Sequence, residues 1–552
     1  MWEARPCTQR LWGHKRLRYE PPFGNWIRAS LIDDDRKNLS FKGNRLNQNG
    51  SPKHQSQEDA TGIVETLALI LPPVARTGEV TRSPSDGGAA AEDGRPYPLG
   101  PSAFHSLEVS SPSNPNCTST SAASPTHGPV LSLRLGSKLH VVLSSPAAVR
   151  EAFKDHDEAL ANHDPPACSA DALRHNMVWC PHGPLWRSLR KVTVRELLSV
   201  SGIEAVSHLR CREVQQTVSG LRAGEPVAVR DLVFTTVFHV MTGMLWGVTP
   251  SDDAASQFRK VIQESIWMLS VPNVSDFFPK IAALDLQGLS RRMKELYERY
   301  TLLFAKFAEE KHGEGFLKVM MQVLEKDDKE SFTLDNDKGL FLDLVMAGTD
   351  TSTSAVEWAM SELMCNPEAM KRVRNELDAV VGKGRLVEES DLPKLPYLCA
   401  VMKETLRLHP VIPLLVPHSP SSTFVLGGYT IPKGSKVFIN VWAIHRDPAL
   451  WEDPLQFRPE RFLQGNQNYD FRGNTCIYLP FGLGRRICVA ISLSQRMIMY
   501  MLASFLHCFD WELPEGHELE LSEVFGIVLK KARPLVLIPR ARNHQLDIRT
   551  LC

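Results

Sequence analysis

Cys488 lies in the stretch PFGLGRRICVA, residues 480–490, after two glycines and two arginines and ahead of a long apolar run. A thiol can serve packing, a disulfide, nucleophilic attack or metal ligation, and the neighbours decide among these. The run that follows, VAISLSQRMIMYMLASFLHCF, contains no Pro or Gly and is rich in Leu, Met and Ile. It predicts a buried helix with Cys488 at or just before its N-terminus. Unpaired backbone N–H groups and the helix dipole favour a thiolate there, and Arg485 and Arg486 push the same way. Gly482 and Gly484 allow a tight turn or a close approach to something flat. The chemistry predicted is an anionic sulfur presented to a ligand.

Four further groups carry polar residues where packing alone does not call for them. In LFLDLVMAGTDTSTSAVEWAM, 340–360, the apolar ends read as helix, while Gly348 to Thr353 are poor helix formers at its centre. Two readings fit: one helix bent by hydroxyls bonding back to carbonyls at a functional site, or two short helices joined by a polar turn. In VMKETLRLHPVIP, 401–413, Glu404 and Arg407 share one face of a helix that must end near His409 because Pro410 follows. Taken alone, that pair reads as a solvated one of little worth. FRPERF, 457–462, places Arg458 and Arg461 in what predicts only a packed loop. In GPLWRSLRKVTVRELL, 183–198, Trp186 and Arg190 are one turn apart and could present an indole N–H and a guanidinium to one anion. An amphipathic helix with a basic face accounts for the same residues.

The chain that must position these groups divides unevenly. Residues 1–125 are rich in Ser, Pro, Gly, Asn and charge, which predicts poor order. One apolar patch interrupts them, IVETLALILPPVA at 63–75, too short to span a bilayer and broken by Glu65, Pro72 and Pro73. No signal peptide of standard layout is visible. From 128 to 145 the alternation is strand-like, and beyond 147 helical periodicity dominates, with short strands such as KVFINVWAI at 436–444. The 552 residues, 43% hydrophobic, suffice for one large domain or more than one core. Sixty-three basic and 63 acidic residues cancel, so no bulk attraction to nucleic acid or acidic membrane is implied. Eleven cysteines without a CxxC pair point to a reducing compartment and away from a disulfide framework or structural zinc.

Taken in order, these pieces resemble the cytochrome P450 family of haem-thiolate monooxygenases. Phe481, Gly484, Arg486 and Cys488 match its F-x-x-G-x-R-x-C loop. Ala347, Gly348, Asp350 and Thr351 match A-G-x-D-T, Glu404 and Arg407 match E-x-x-R, Arg461 matches P-E-R-F, and Trp186 with Arg190 matches W-x-x-x-R. The resemblance runs from 126 to 540, and VWAIHRDPALWEDP, FRPERF and LPFGLGRRIC are closest in texture to the plant microsomal branch that oxidises secondary metabolites. It implies a mainly α fold with small β-sheets over 126–545. It also implies haem b (iron protoporphyrin IX) with Cys488 as proximal thiolate, shielded by Phe481, and with Gly484 letting the backbone lie near the porphyrin. Trp186, Arg190, Arg486 and His418 would neutralise the propionates, and Glu404, Arg407 and Arg461 would form a buried network bracing the cysteine loop. Gly348 would let the distal helix open for dioxygen, Thr351 would hydrogen-bond it, and Asp350 would lead protons inward.

The same resemblance implies O2 as co-substrate and electrons from NADPH through cytochrome P450 reductase. Arg187, Lys191 and Arg195 offer a docking patch that a solvated helix face explains equally. Apolar walls near Val345 to Gly348, Val411 to Val416 and Phe525 to Val528 imply a small lipophilic substrate, terpenoid or phenolic. Endoplasmic-reticulum association on the cytosolic face is implied too, although no membrane anchor or proline-rich hinge is visible in 1–125. Ala490 stands where the family carries Gly, one methyl more at a helix start. An oxygen-independent rearrangement on the same fold and a non-catalytic haem protein are the alternatives. Retention of Asp350 and Thr351 weighs against the rearrangement.

Overall fold

The computed structural model describes residues 128–542 except 171–172, 311–314, 327–332 and 464–468. The segment 1–125 and its apolar patch lie outside the described residues. The alternating stretch after Gly128 forms a hairpin, β1 (Val130–Leu135) and β2 (Lys138–Leu143), with Leu135 opposite Lys138. Its turn needs Gly136, at φ +60°, because any side chain there would collide with the Phe277 backbone. Strand β3 is Asn162–His163, β4 is Val227–Ala228 and β5 is His418–Ser419. They are followed by β6 (Phe424–Leu426), β7 (Tyr429–Ile431) and β8 (Lys436–Ile439). One five-stranded sheet has the order β1-β2-β8-β5-β3, its β2–β8 pair parallel. Val141, Leu143, Val437 and Ile439 fill the core on its inner face. The strand expected over 436–444 stops at Ile439: the Asn440 side chain accepts the Ala443 N–H and starts a helical turn, Val441–Ile444.

Helices make up the larger body. Helix α1 (Pro146–Asp155) begins at Ser145, whose hydroxyl accepts the Ala148 N–H. It is followed by α2 (Pro184–Val192), α3 (Ser207–Gly220), α4 (Val229–Trp246), α5 (Asp252–Ser270) and α6 (Leu289–Glu310). The basic helix expected over 183–198 is α2 continued by a π-type turn, Thr193–Leu197. Beyond them lie α7 (Leu334–Cys365), α8 (Pro367–Val380), α9 (Pro396–Leu408) and α10 (Ile491–Cys508). The remaining strands are β9 (Phe509–Glu512), β10 (Glu523–Val524), β11 (Lys530–Lys531) and β12 (Val536–Ala541), paired as β4-β12-β9 and β10-β11. Mainly helical architecture with small sheets is the class expected from the sequence.

Helix α7 settles the choice left open for 340–360, since it is one element of 32 residues running straight through Gly348 to Thr353. Thr333 caps it reciprocally with Asn336. The hydroxyls of Thr349, Thr351 and Thr353 each donate to the carbonyl four residues earlier, so they are satisfied inside the helix rather than breaking it. Gly348 is needed for packing: a Cβ there would press on the Met241 side chain of α4 at 3.1 Å. Around it, Trp246 is ringed edge-on by Phe258, Phe304, Phe307 and Phe341 at 5.0–6.2 Å.

Because Phe341 anchors α7 in this fully buried aromatic cluster, Phe341→Ala should lower the folding free energy by about 3–5 kcal/mol. Equilibrium denaturation read by circular dichroism checks this; a loss below about 1 kcal/mol would show that the cluster does not fix α7.

Candidate functional site: a cysteine loop and the central helix

Cys488 falls three residues before α10 begins at Ile491. Its N–H donates to the Phe481 carbonyl at 3.0 Å, closing the loop 481–488, and its Sγ accepts the Ala490 N–H at 3.4 Å. Phe481 packs edge-on against Phe471 at 5.3 Å. Gly484, at φ +66°, has no room for a side chain, because the space is filled by Phe153 and the Asp157 carboxylate, which also accepts the Arg485 N–H at 3.0 Å. The glycine thus lets the loop pack closely against Phe153 of α1 and Asp157 just beyond it. Cys488 itself is exposed, while Phe481, Arg486 and Ile487 of its loop are only partly so.

The thiol does not behave as the sequence suggested. Burial pushes its pKa up, and the Ala490 N–H and Arg190 only partly offset this. Of the loop arginines, Arg485 turns to Asp157 (3.4 Å) and Glu158. Arg486 spends its guanidinium on carbonyls, donating to Ala161 (2.5 Å), Met177 (2.9 Å) and Cys180 (2.7 Å). In the protein alone the neutral thiol is therefore favoured.

Further polar and accessible residues are carried by α7. Most of its length is buried, but Ala347 is exposed and Met346, Gly348 and Thr351 keep partial surface. Asp350 is buried, with Oδ1 paired to Lys530 Nζ at 2.8 Å and Oδ2 without a partner among the described residues.

The pair Glu404–Arg407 is wholly buried, so the solvated reading of it is excluded. Arg407 donates to both Glu404 oxygens at 2.7 and 2.8 Å, and to the carbonyls of His445 (2.7 Å) and Pro454 (2.8 Å). Arg461 Nε and the Arg458 N–H both donate to Glu404 Oε1, at 3.0 and 2.8 Å. The link to the cysteine loop runs through His445, a residue that the sequence reading passed over. Its Nδ1–H donates to the Arg407 carbonyl at 3.2 Å and its Nε2 accepts the Leu479 N–H at 2.8 Å, just ahead of Pro480. Burial and the neighbouring arginines hold its pKa down at about 3, which keeps it neutral and able to accept. The signal was present in the sequence as the histidine of VWAIHRDP.

Around Trp186 the structure gathers positive charge. The Arg486 and Arg190 guanidiniums lie 4.6 and 5.5 Å from its ring centroid, and the His182 ring is 5.1 Å away. Arg190 also donates to the Ile487 carbonyl at 2.7 Å. Burial lowers the pKa of both arginines, that of Arg486 to about 10, and neither has an ion-paired carboxylate among the described residues. Asp343, whose charge would act on Arg486, accepts the Val178 N–H and is pushed up to about 8 by burial, which favours its uncharged form near neutrality. His418 is different from its expected role. Its pKa is lowered by burial to about 4, and its Nδ1–H donates to the Leu160 carbonyl at 2.7 Å, so it brings no positive charge.

The cytochrome P450 family profile matches residues 95–538, and the chain belongs to that family. A flavonoid 3'-monooxygenase of Crocosmia x crocosmiiflora is 39% identical over 76% of this chain and 87% of its own. Geraniol 8-hydroxylase of Catharanthus roseus is 37% identical over 75% of this chain and 87% of its own. Among solved structures, a zebra fish cytochrome P450 with progesterone superposes with a TM-score of 0.66 at 25% identity, over 76% of this chain and 97% of the other. The enzyme is a monooxygenase, and the family implies a haem cofactor.

The residues fit a haem. Two half-buried guanidiniums without carboxylate partners, together with His182, whose buried Nε2 is unsatisfied, suit two carboxylates. Cys488 is a single donor, and no group of three or more His, Cys, Asp or Glu converges among the described residues. A single protein sulfur suits an iron whose other ligands come from a macrocycle.

Arg407→Ala leaves the buried Glu404 with Arg461 as its one charged partner and removes the guanidinium's bonds to the His445 and Pro454 carbonyls, so it should cost about 3–5 kcal/mol. The fraction of chain recovered with haem should fall several-fold relative to wild type. Haem-to-protein absorbance ratios check this, and an unchanged ratio would disconnect the network from the loop.

Proposed function

We propose that this chain inserts one atom of O2 into a small lipophilic secondary metabolite, with electrons delivered from NADPH by a reductase at the cytosolic face of the endoplasmic reticulum. The observation that carries the reading is the exposed Cys488, held at the end of a closed loop in a fold whose central helix leaves Ala347 exposed and Thr351 partly so. In this reading the two accessible faces are opposite walls of one haem site. Cys488 is the iron ligand, and Arg190, Arg486 and Trp186 hold the propionates. The iron porphyrin supplies oxygen activation and transfer to carbon, with the balance R–H + O2 + 2e⁻ + 2H⁺ giving R–OH and water.

The chain's own residues then manage protons and orientation. Lys530, about one-quarter exposed, meets buried Asp350 and gives a two-residue route from solvent to the interior. Asp350 Oδ2 is free to receive or pass a proton. The Thr351 hydroxyl donates to Ala347 within the helix, so it delivers a proton only after that bond opens. Retention of this acid–alcohol pair supports oxygen activation over rearrangement of a peroxide. Exposed Arg187, Lys191 and Arg195 lie on α2 and the turn that continues it, while Arg190 on α2 touches the cysteine loop. That arrangement supports reductase docking there. Among the described residues no helix is long and apolar enough to cross a membrane.

The two relatives, a flavonoid hydroxylase and a geraniol hydroxylase, are similar in identity to this chain, so phenolic and terpenoid scaffolds both belong in the first screen. Segments 411–416 and 525–528 supply part-accessible Ile412, Leu414, Leu415, Phe525 and Ile527 for apolar contact.

Two outcomes test the assignment. The reduced, carbon monoxide-bound protein should show the strongly red-shifted Soret band of thiolate ligation, and Cys488→Ala should abolish it; a band unmoved by that substitution contradicts the ligand. Thr351→Ala should keep the band and consume NADPH while diverting most reducing equivalents to hydrogen peroxide, and normal coupling would remove Thr351 from proton delivery.

A further inference from the structure

His409 ends α9 and is followed at once by Pro410 and the apolar segment 411–416. Its ring is almost fully buried. Nε2 lies 2.7 Å from Glu362 Oε1 of α7, and Nδ1 lies 2.9 Å from Glu523 Oε1 of β10. A neutral imidazole would turn a lone pair toward one carboxylate, so both nitrogens carry protons and the ring is a cation. Trp358 of α7 stacks on it at 3.9 Å and 3°, and Lys531 of β11 lies 5.0 Å from the Trp358 ring centroid. Glu523 also accepts from Arg446 (3.2 Å) and from Trp442 Nε1 (3.3 Å). His409 and Arg446 thus balance the charges of Glu362 and Glu523, with no large net charge left in the interior. Burial alone would strip the ring of its second proton, but the two carboxylates outweigh it and hold the pKa above the usual histidine range.

Three segments meet at this ring. Val411 accepts the Leu529 N–H at 2.8 Å, which pins 411 to the strand after the 525–528 turn. At the other end, Leu415 lies against Gly482 of the cysteine loop, where an added Cβ would be 3.7 Å from Leu415 Cδ1. Leu415 has φ +53°, a left-handed conformation that a leucine keeps only where its surroundings impose it. The span from His409 to Leu415 is therefore fixed at one end by a charged clamp and at the other by the loop that carries Cys488.

We propose that His409 is a positioning residue for the substrate: an imidazolium strut that locks segment 410–416 and turn 525–528 onto α7 and thereby sets which carbon of the substrate is presented for oxidation. This rests on the monooxygenase reading above only for the words substrate and carbon; the strut itself stands on the geometry.

The test uses the haem-loaded full chain, with His409→Gln and the milder Glu523→Gln. Hydrogen exchange should quicken in 410–416 and 523–529 while 480–491 stays as in wild type, and the reduced carbon monoxide band should persist. With geraniol or a flavonoid as probe, whichever shifts the haem spectrum, His409→Gln should weaken apparent affinity about tenfold, the equivalent of one charge-assisted hydrogen bond. It should also change the ratio of products, with Glu523→Gln intermediate. Raising the pH through the elevated pKa of His409 removes the clamp, so the wild-type product ratio should drift toward that of His409→Gln at alkaline pH while the variant's stays flat. Exchange unchanged in both segments, or quickened everywhere alike, overturns the strut. Quickened exchange with unchanged affinity and product ratio overturns its role in positioning. A wild type that lacks the red-shifted band overturns the monooxygenase reading, and the exchange arm still decides the strut.

Discussion

The structure depends on a guanidinium that never meets water. Arg407 lies fully buried between both oxygens of Glu404 and the carbonyls of His445 and Pro454. A buried pair of this kind gains little over apolar packing and loses much when one partner is removed. Its value here is geometric. Arg407 and His445 bond each other reciprocally through backbone carbonyls, and His445 fixes the Leu479 N–H at the mouth of the cysteine loop. The position of one sulfur is thus set by an ion pair on a helix 80 residues earlier in the chain.

Charge is distributed so that the interior is not self-sufficient. Arg190 and Arg486 are desolvated without carboxylate partners among the described residues, Asp343 beside them is mostly protonated, and Cys488 is held as a thiol by burial. The two desolvated guanidiniums would be compensated by a ligand with a dianionic rim, and a cationic centre beside Cys488 would favour its thiolate. The His409 cluster is the counter-example within the same core. There the cations and carboxylates already balance, and the result is a brace and not a binding site.

Much of this was legible in the sequence, for reasons that differ by residue. The cysteine loop, α7 and the Glu404–Arg407 spacing were visible because local chemistry and helical period place them. That Glu404 and Arg407 are buried was not, since an i, i+3 pair looks the same on a surface. Gly348 and Gly484 stood out by residue type, but the contacts their missing side chains permit did not. The missing side chain of Gly348 makes room for Met241, and that of Gly484 for Phe153 and Asp157, contacts made across the fold. Arg486 and His418 were picked out for charge; that both also bond backbone carbonyls, Ala161 and Leu160 among them, is a tertiary contact the sequence does not show. His445 escaped notice because a lone histidine in a loop is usually packing, and only the three bonds it makes show otherwise.

The account turns on which atom of the protein meets iron, and iron-edge X-ray absorption of the haem-loaded chain reads that atom directly. One sulfur neighbour alongside the porphyrin nitrogens, lost when Cys488 is replaced by alanine, is the result required. A first shell of nitrogen and oxygen alone, in the unaltered protein, would contradict it.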